Sequence, residues 1–407
     1  VELSKKLFFL RHPYLLLFSV IQIVFSAPGQ TFLIALFVPN ILQSIDITRT
    51  EFALLYSVAT ILASLLLNPA GRLIDKRHLN HIVIFNGLCM ALGCVFLWAS
   101  SSLFFLFISF FLLRLFGQGI FGLTASTTLG KAFGKNRAKA IGIMTLGFPL
   151  SEMIYPSVTM GLIMIFGWRE TYLIFAASFL LLMVPLQLFV LSKSHYNDGE
   201  FLEGEYSDSY FQSKEKNISL TQAVRQPQFF LLIIASCIPP IIMTGLFFHQ
   251  DKLFEVHHWP QEWLGIGITC YAVAKALGSI LLGPYIDKNG PVLMFVIMIL
   301  LLSLGTFIAG LGGGTTIICV FFSFMGFALG LSSPVMNVVW PSLYGTQHLG
   351  SIKGFVGMFR NGLTAFGPLP PAIAMDMGVS LTNIFFIAAL GAACTACIPI
   401  FVLRQKY

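Results

Sequence analysis

The sequence predicts an all-α membrane protein, with twelve transmembrane helices in two pseudo-symmetric six-helix halves, and three observations predict it. Of 407 residues, 57% are apolar, 10% are charged and 41 are Phe, too oily a composition for a water-soluble globular chain. Twelve runs of about 20 mostly apolar residues, the length that crosses ~30 Å of hydrocarbon, follow one another between polar breaks. Features of the first six runs return in the last six. Gly71 and Asp75 recur as Gly283 and Asp287, each 212 positions on, and Gly142, Gly147 and Pro156 recur as Gly357, Gly362 and Pro371, each 215 positions on. Paired spacings of this kind mark a duplicated unit.

The runs fall at 14–42, 51–71, 80–100, 103–130, 138–165, 169–192, 228–254, 261–286, 291–310, 315–344, 351–376 and 380–403. The first is too long for a signal peptide and leads into membrane-embedded chain, so an uncleaved first span is expected. Lys5, Lys6 and Arg11 flank it and suit an inside N-terminus. With that orientation, 18 of the 24 Lys and Arg lie in inside breaks and termini, and only Arg49, Arg169 and Lys252 lie outside. The positive-inside rule therefore places both termini in the cytoplasm of a multi-pass protein of the cell membrane, inner or plasma. The net charge of +7 is accounted for by topology and gives no reason to expect a nucleic-acid partner.

The two halves, 1–192 and 224–407, are joined by a linker at 193–223. Asp198, Glu200, Glu203, Glu205 and Asp208 followed by Lys214 and Lys216 make it a solvated cytoplasmic tether, with a short surface helix expected near Leu220. The seven cysteines all fall within predicted spans and read as small apolar residues. Cys394 and Cys397 form a C-x-x-C with no His or acid near in sequence, so no metal and no cofactor is expected.

Helix-breaking residues gather in the first and fourth spans of each half: Pro28-Gly29 in span 1; Gly117, Gly119 and Gly122 in span 4; Pro239-Pro240 and Gly245 in span 7; Gly330 and Pro334 in span 10. Irregular backbone at membrane depth survives only where protein or a wet cavity satisfies its polar groups, so these breaks point to a site between the halves. Four ionisable residues lie where lipid is expected: Arg114, Glu152, Lys275 and Arg360. Each costs ~2.5–3.5 kcal/mol to insert near mid-membrane, and each needs a reason to be there. Glu152 and Lys275 sit at similar depth, as a static ion pair or as a proton carrier beside a substrate-binding cation. Arg360, expected near Tyr56 or Thr60, carries a guanidinium fork suited to a carboxylate or phosphate. Three cations against one acid favour an anionic substrate. Gln30, Gln118, Tyr155, Tyr271, Asn337 and Trp340 are the uncharged candidates for hydrogen bonding it. His249 and Asp251, at the outer end of span 7, read equally as a gate or proton relay and as a wet rim.

The stretch GRLIDKRHLNHIV from Gly71 and its weaker copy GPYIDKNGPVLMF from Gly283 resemble the signature loop of the major facilitator superfamily, Gly-x-Leu-x-Asp-Arg-x-Gly-Arg-Lys. His78, Leu79 and Asn80 replace the later Gly-Arg-Lys of the first copy; the second keeps Gly290 and loses the basic pair. RLFGQGIFG from Arg114 matches the Arg-x-x-Gly-x-Gly-x-x-Gly of that superfamily's fourth span. The resemblance implies that Arg114 reaches span 1 to serve coupling or substrate binding; satisfying carbonyls near Pro28 and Gln30 is the other reading. It also implies that spans 1, 4, 7 and 10 line a central cavity, and that Gly71, Asp75, Gly283 and Asp287 act in gating. The run with Arg137, Ala140, Gly142 and Gly147 is similar to the oxalate/formate and monocarboxylate branch, although Ser279 stands where that branch carries an anion-binding Arg.

The expected activity is secondary transport of a small carboxylate-type anion by alternating access, proton-coupled through Glu152, with Arg114, Lys275 and Arg360 as substrate cations. The expected partners are that solute, protons and the bilayer, for a monomeric non-enzyme. A different solute moved in either direction, or a non-transporting sensor on the same fold, is the alternative.

Overall fold

The computed structural model describes residues 12–133, 137–194, 196, 218–281, 291–345 and 348–403. They form helices and connecting turns. In order these are α1, Pro13–Ile45; α2, Arg49–Lys76; α3, Leu79–Trp98; α4, Leu103–Phe133; α5, Arg137–Thr145 continued by Gly147–Phe166; and α6, Trp168–Ser194. The second set is α7, Pro227–Val256; α8, Glu262–Leu281; α9, Pro291–Leu311; α10, Thr316–Tyr344; α11, Leu349–Leu363 and Leu369–Asp376; and α12, Leu381–Thr395 continued by Cys397–Leu403. Among the described residues eleven candidate spans are long and apolar enough to cross a bilayer, and the two pieces of α11 make the twelfth. A one-turn helix, Leu220–Ala223, precedes α7 where a surface helix was expected, and a reciprocal Ser219–Gln222 capping box starts it.

Large apolar side chains such as Met164, 85% exposed, and Leu181, 79% exposed, face outward. Water would make such a surface an aggregation hazard, and lipid is the solvent it fits.

Two compact units divide the chain, Val1–Ile45 with Leu62–Tyr210, and Asp46–Ile61 with Phe211–Tyr407. The cut passes through continuous α2, so its first turns belong with the second unit. The core of the first unit joins Leu15, Phe18 and Ile23 of α1 to Val83, Leu129, Phe133, Ala140 and Val190. That of the second joins Phe229 and Leu232 of α7 to Phe295, Met298, Val339, Trp340 and Ile352.

Three expectations need correction. Pro28-Gly29 does break α1, through a 3-10 turn at Ala27–Gly29 and extended backbone at Gln30. Yet Pro239-Pro240 and Pro334 lie inside uninterrupted helices, and the break of the second unit falls instead in α11, where a 3-10 turn at Thr364–Phe366 precedes Gly367-Pro368. Helix α2 runs through Lys76, so Gly71 and Asp75 occupy its last turns and the turn itself is confined to Arg77 and His78. Gly283 and Asp287 lie outside the described residues.

Candidate functional site

In the first unit α1 and α4 cross at backbone contact. A Cβ built on Gly29 would lie 2.1 Å from the Leu113 carbonyl oxygen, and one on Gly117 2.6 Å from the Gly29 Cα. No other residue fits either place. The crossing brings Arg114, 1% exposed, onto the break in α1, where its Nη1 donates to the Gly29 carbonyl and to Thr31 Oγ1, both at 3.2 Å. Gln30 returns the contact, its Nε2 donating to Ser26 Oγ at 3.1 Å and to the Gly117 carbonyl at 3.4 Å. Around Arg114 the helix widens into a π-turn, Leu113–Ile120, a deviation that frequently sits at functional positions. Arg114 thus satisfies carbonyls at the α1 break, one of its two expected roles. Gln118 is half-buried in the same turn, and Glu152 is buried in α5. Tyr155 packs its ring 6.0 Å from Phe175.

The second unit gathers a different set. Cβ atoms on Gly326 and Gly330 would meet the carbonyl oxygens of Tyr271 and Lys275 at 2.3 and 2.4 Å, so α10 lies directly on the backbone of α8. Lys275 Nζ stands 5.3 Å from the centre of the Tyr271 ring, a cation–π distance, and Phe247 meets Tyr271 edge-on at 5.7 Å. From α11, Arg360 Nη2 donates to Ser332 Oγ at 3.2 Å. Arg360 keeps partial exposure, and among the described residues no carboxylate forms an ion pair with it. The second unit therefore holds two cationic positions, Lys275 over the Tyr271 ring and Arg360 on the Ser332 hydroxyl.

The remaining expected residues sit elsewhere. Arg360 bonds Ser332 rather than Tyr56 or Thr60, and the Tyr56 ring lies 4.4 Å from Phe248. Asn337 is exposed and accepts from Lys353 Nζ at 2.8 Å. Trp340 is buried against Phe229 and Tyr344, a packing position. Sequence reasoning missed Ser332, whose only signal was its place two residues after Gly330, one of the glycines that seat α10. It also missed the pairing of Arg49 with Asp251, 202 positions apart; two opposite charges at the ends of apolar helices were the available clue.

These features define a polytopic transporter of the major facilitator type. The Major Facilitator Superfamily profile matches residues 20–368 and again 252–407, and the chain belongs to that family. No curated protein matches it in sequence. Among solved structures, a bacterial homologue of the human lysosomal transporter Spinster, inward-facing and unoccupied, is similar over 97% of this chain and 95% of its own, with a TM-score of 0.68 and 13% identity. A POT family transporter in complex with 5-aminolevulinic acid matches over 97% and 96%, with a TM-score of 0.73 and 14% identity. A point mutant of a nucleoside transporter matches over 97% and 100%, with a TM-score of 0.69 and 13% identity. At these identities the likeness concerns the fold.

Proposed function

We propose that this transporter carries a small carboxylate-type organic anion, with protons as the coupling ion, and works by alternating access in the cell membrane with both termini cytoplasmic. One observation supports the reading: the second unit carries two membrane-depth cations, Lys275 over the Tyr271 ring and Arg360, whose hydrogen-bond partner Ser332 is a neutral hydroxyl. A guanidinium in a membrane helix is costly, and a forked, anion-sized complement repays that cost. Tyr271 and Ser332 add a hydroxyl each for orientation. Glu152, buried in α5, is the proton-coupling candidate. Arg114 contributes by holding the α1 break. The run from Arg137 to Gly147 favours the oxalate/formate and monocarboxylate branch. We infer a monomer that needs only its solute, protons and lipid.

The test is a thermal-shift screen of the purified protein against mono-, di- and tricarboxylates, amino acids, nucleosides and cationic drugs, because a ligand that binds the native state raises apparent stability. A carboxylate that stabilises the wild type and not Arg360→Ala supports the reading. Stabilisation by nucleosides or cations alone overturns it and leaves a transporter of a different solute.

A further inference from the structure

The start of α2 is attached to α7 and α11 through contacts that involve neither Lys275 nor Arg360. Arg49 donates both terminal nitrogens to Asp251, Nη1 to Oδ1 at 3.0 Å and Nη2 to Oδ2. Thr50 hydrogen-bonds Asp376. Deeper in, Phe52 and Tyr56 pack on Phe248 with ring centres 5.6 and 4.4 Å away, and Ser57 Oγ donates to the Ala365 carbonyl at 2.6 Å. Residues 49, 52 and 56 recur at the three-to-four spacing of one helix face, and Ser57 borders it, so this is a stripe along α2.

At the root of the stripe lies His249, 3% exposed, which removes the wet-rim reading of this residue. Its Nε2 is 2.9 Å from the Pro368 carbonyl. A carbonyl only accepts, so Nε2 carries the hydrogen and Nδ1 the lone pair. Nδ1 is buried without a hydrogen-bond partner among the described residues.

We propose that the stripe is a clasp on the face that the Lys/Arg pattern places outside, and that His249 Nδ1 is a proton-binding site whose occupation releases it. The lone pair of Nδ1 takes the proton, and the ring becomes an imidazolium with no acceptor at its new N–H. The charges acting on it are Arg49 across on α2 and Asp251 on its own helix, and Asp251 is already held by Arg49. Residues two apart on a helix do not face each other, so Asp251 is poorly placed to compensate. On α2, Glu51 is bound to the nitrogen and hydroxyl of Thr48. On α7, Lys252 pairs with Glu255 in solvent. On α11, Asp376 is held by Thr50, while Lys353 and Arg360 lie at least two turns from Pro368. The helices α9, α10 and α12, which also pack on α7, carry no Asp, Glu, Lys, Arg or His; α8, which meets α7 where Tyr271 touches Phe247, carries Lys275 over the Tyr271 ring and Glu262 in its first turn. A buried second cation beside Arg49 is therefore relieved only by letting water in or by moving Arg49 away, and either frees the start of α2.

The inference rests on the family's transport function and is independent of the substrate. Its structural alternative is that His249 merely caps the Pro368 carbonyl. His249→Gln separates the two, because an amide N–H keeps the hydrogen bond and cannot titrate. The experiment is hydrogen–deuterium exchange of the full chain in lipid nanodiscs, corrected for intrinsic pH dependence, following peptides that cover residues 46–56. From about pH 8 to about pH 5, wild-type exchange there should rise roughly ten-fold, and that of His249→Gln should stay flat. Asp251→Asn should exchange fast at every pH, and the charge swap Arg49→Asp with Asp251→Arg should restore protection. A pH response that survives in His249→Gln, or a wild type without one, overturns the proton site. Full protection in Asp251→Asn overturns the clasp.

Discussion

Replacing Gly117 with alanine should measurably destabilise the first unit, and the structure sets the size. The added methyl would sit 2.6 Å from the Gly29 Cα and 3.0 Å from the Gly29 nitrogen. Carbon atoms rest at about 3.5–4.0 Å, so α1 and α4 must part by roughly 1 Å. Both obstacles are backbone, and neither can rotate aside. Parting the helices also stretches the 3.2 Å bond from Arg114 to the Gly29 carbonyl towards the limit of hydrogen bonding. Overpacking of this kind costs ~1–3 kcal/mol. At ~2–4 °C per kcal/mol for a unit of this size, that is a fall in melting temperature of about 2–12 °C. The control lies in the same helix: a Cβ on Gly130 meets nothing within 4 Å. Gly130→Ala should leave stability unchanged or raise it by ~0.5–1 kcal/mol through helix propensity. Unfolding of the purified variants followed by intrinsic fluorescence reads both. Equal melting temperatures for the two substitutions would show that the Gly29–Gly117 crossing is not close-packed, and the account of Arg114 as its lock would go with it.

Three further outcomes follow from the other sites. Arg360→Lys keeps the charge and loses the fork, so anion affinity should fall by roughly ten-fold, the value of one charge-assisted hydrogen bond; an unchanged binding isotherm removes Arg360 from the site. Glu152→Gln should abolish proton-driven accumulation in proteoliposomes and leave substrate exchange running, whereas equal loss of both would make Glu152 a structural residue. In α11, Gly367→Ala would put a methyl 2.6 Å from the Ile241 carbonyl oxygen and 2.8 Å from the Gly245 nitrogen, and should lower the melting temperature about as much as Gly117→Ala. Tolerance there would mean that α7 and α11 have room to part.

The helices were legible because apolar runs of bilayer length leave little choice. Arg114 was legible in part: a buried cation beside a Pro-Gly break was expected either to serve substrate and coupling or to satisfy carbonyls there, and its hydrogen bond to Gly29 is of the second kind. Position along a chain does not say which proline interrupts its helix, which is why α7 and α10 were expected to break and did not. The cationic positions were half legible. Lys275 and Arg360 stand out by charge, but the Ser332 hydroxyl that Arg360 binds comes from another helix, and an approach between helices has no local sequence signature. The Arg49–Asp251 pair stayed hidden for the same reason, as a contact between two helix ends far apart in the chain.

Where the backbone opens in the two units follows one rule. An opened turn inside a membrane frees carbonyl groups that lipid cannot satisfy, so a helix opens where side chains can donate to them. In the first unit the donor is Arg114, held over the Gly29 carbonyl. The positions that answer to Arg114 by the two repeat spacings are Gly326 and Leu329, and neither carries a donor. Pro239-Pro240 of α7 accordingly stay inside a helix despite two missing N–H groups. In α11 the turn around Gly367-Pro368 does open, and there the Ala365 carbonyl receives Ser57 and the Pro368 carbonyl receives His249. The two donors that make this break tenable are themselves part of the proposed clasp. Opening the clasp at Ser57 therefore removes a donor from α11, which links movement of the start of α2 to the helix that carries Arg360.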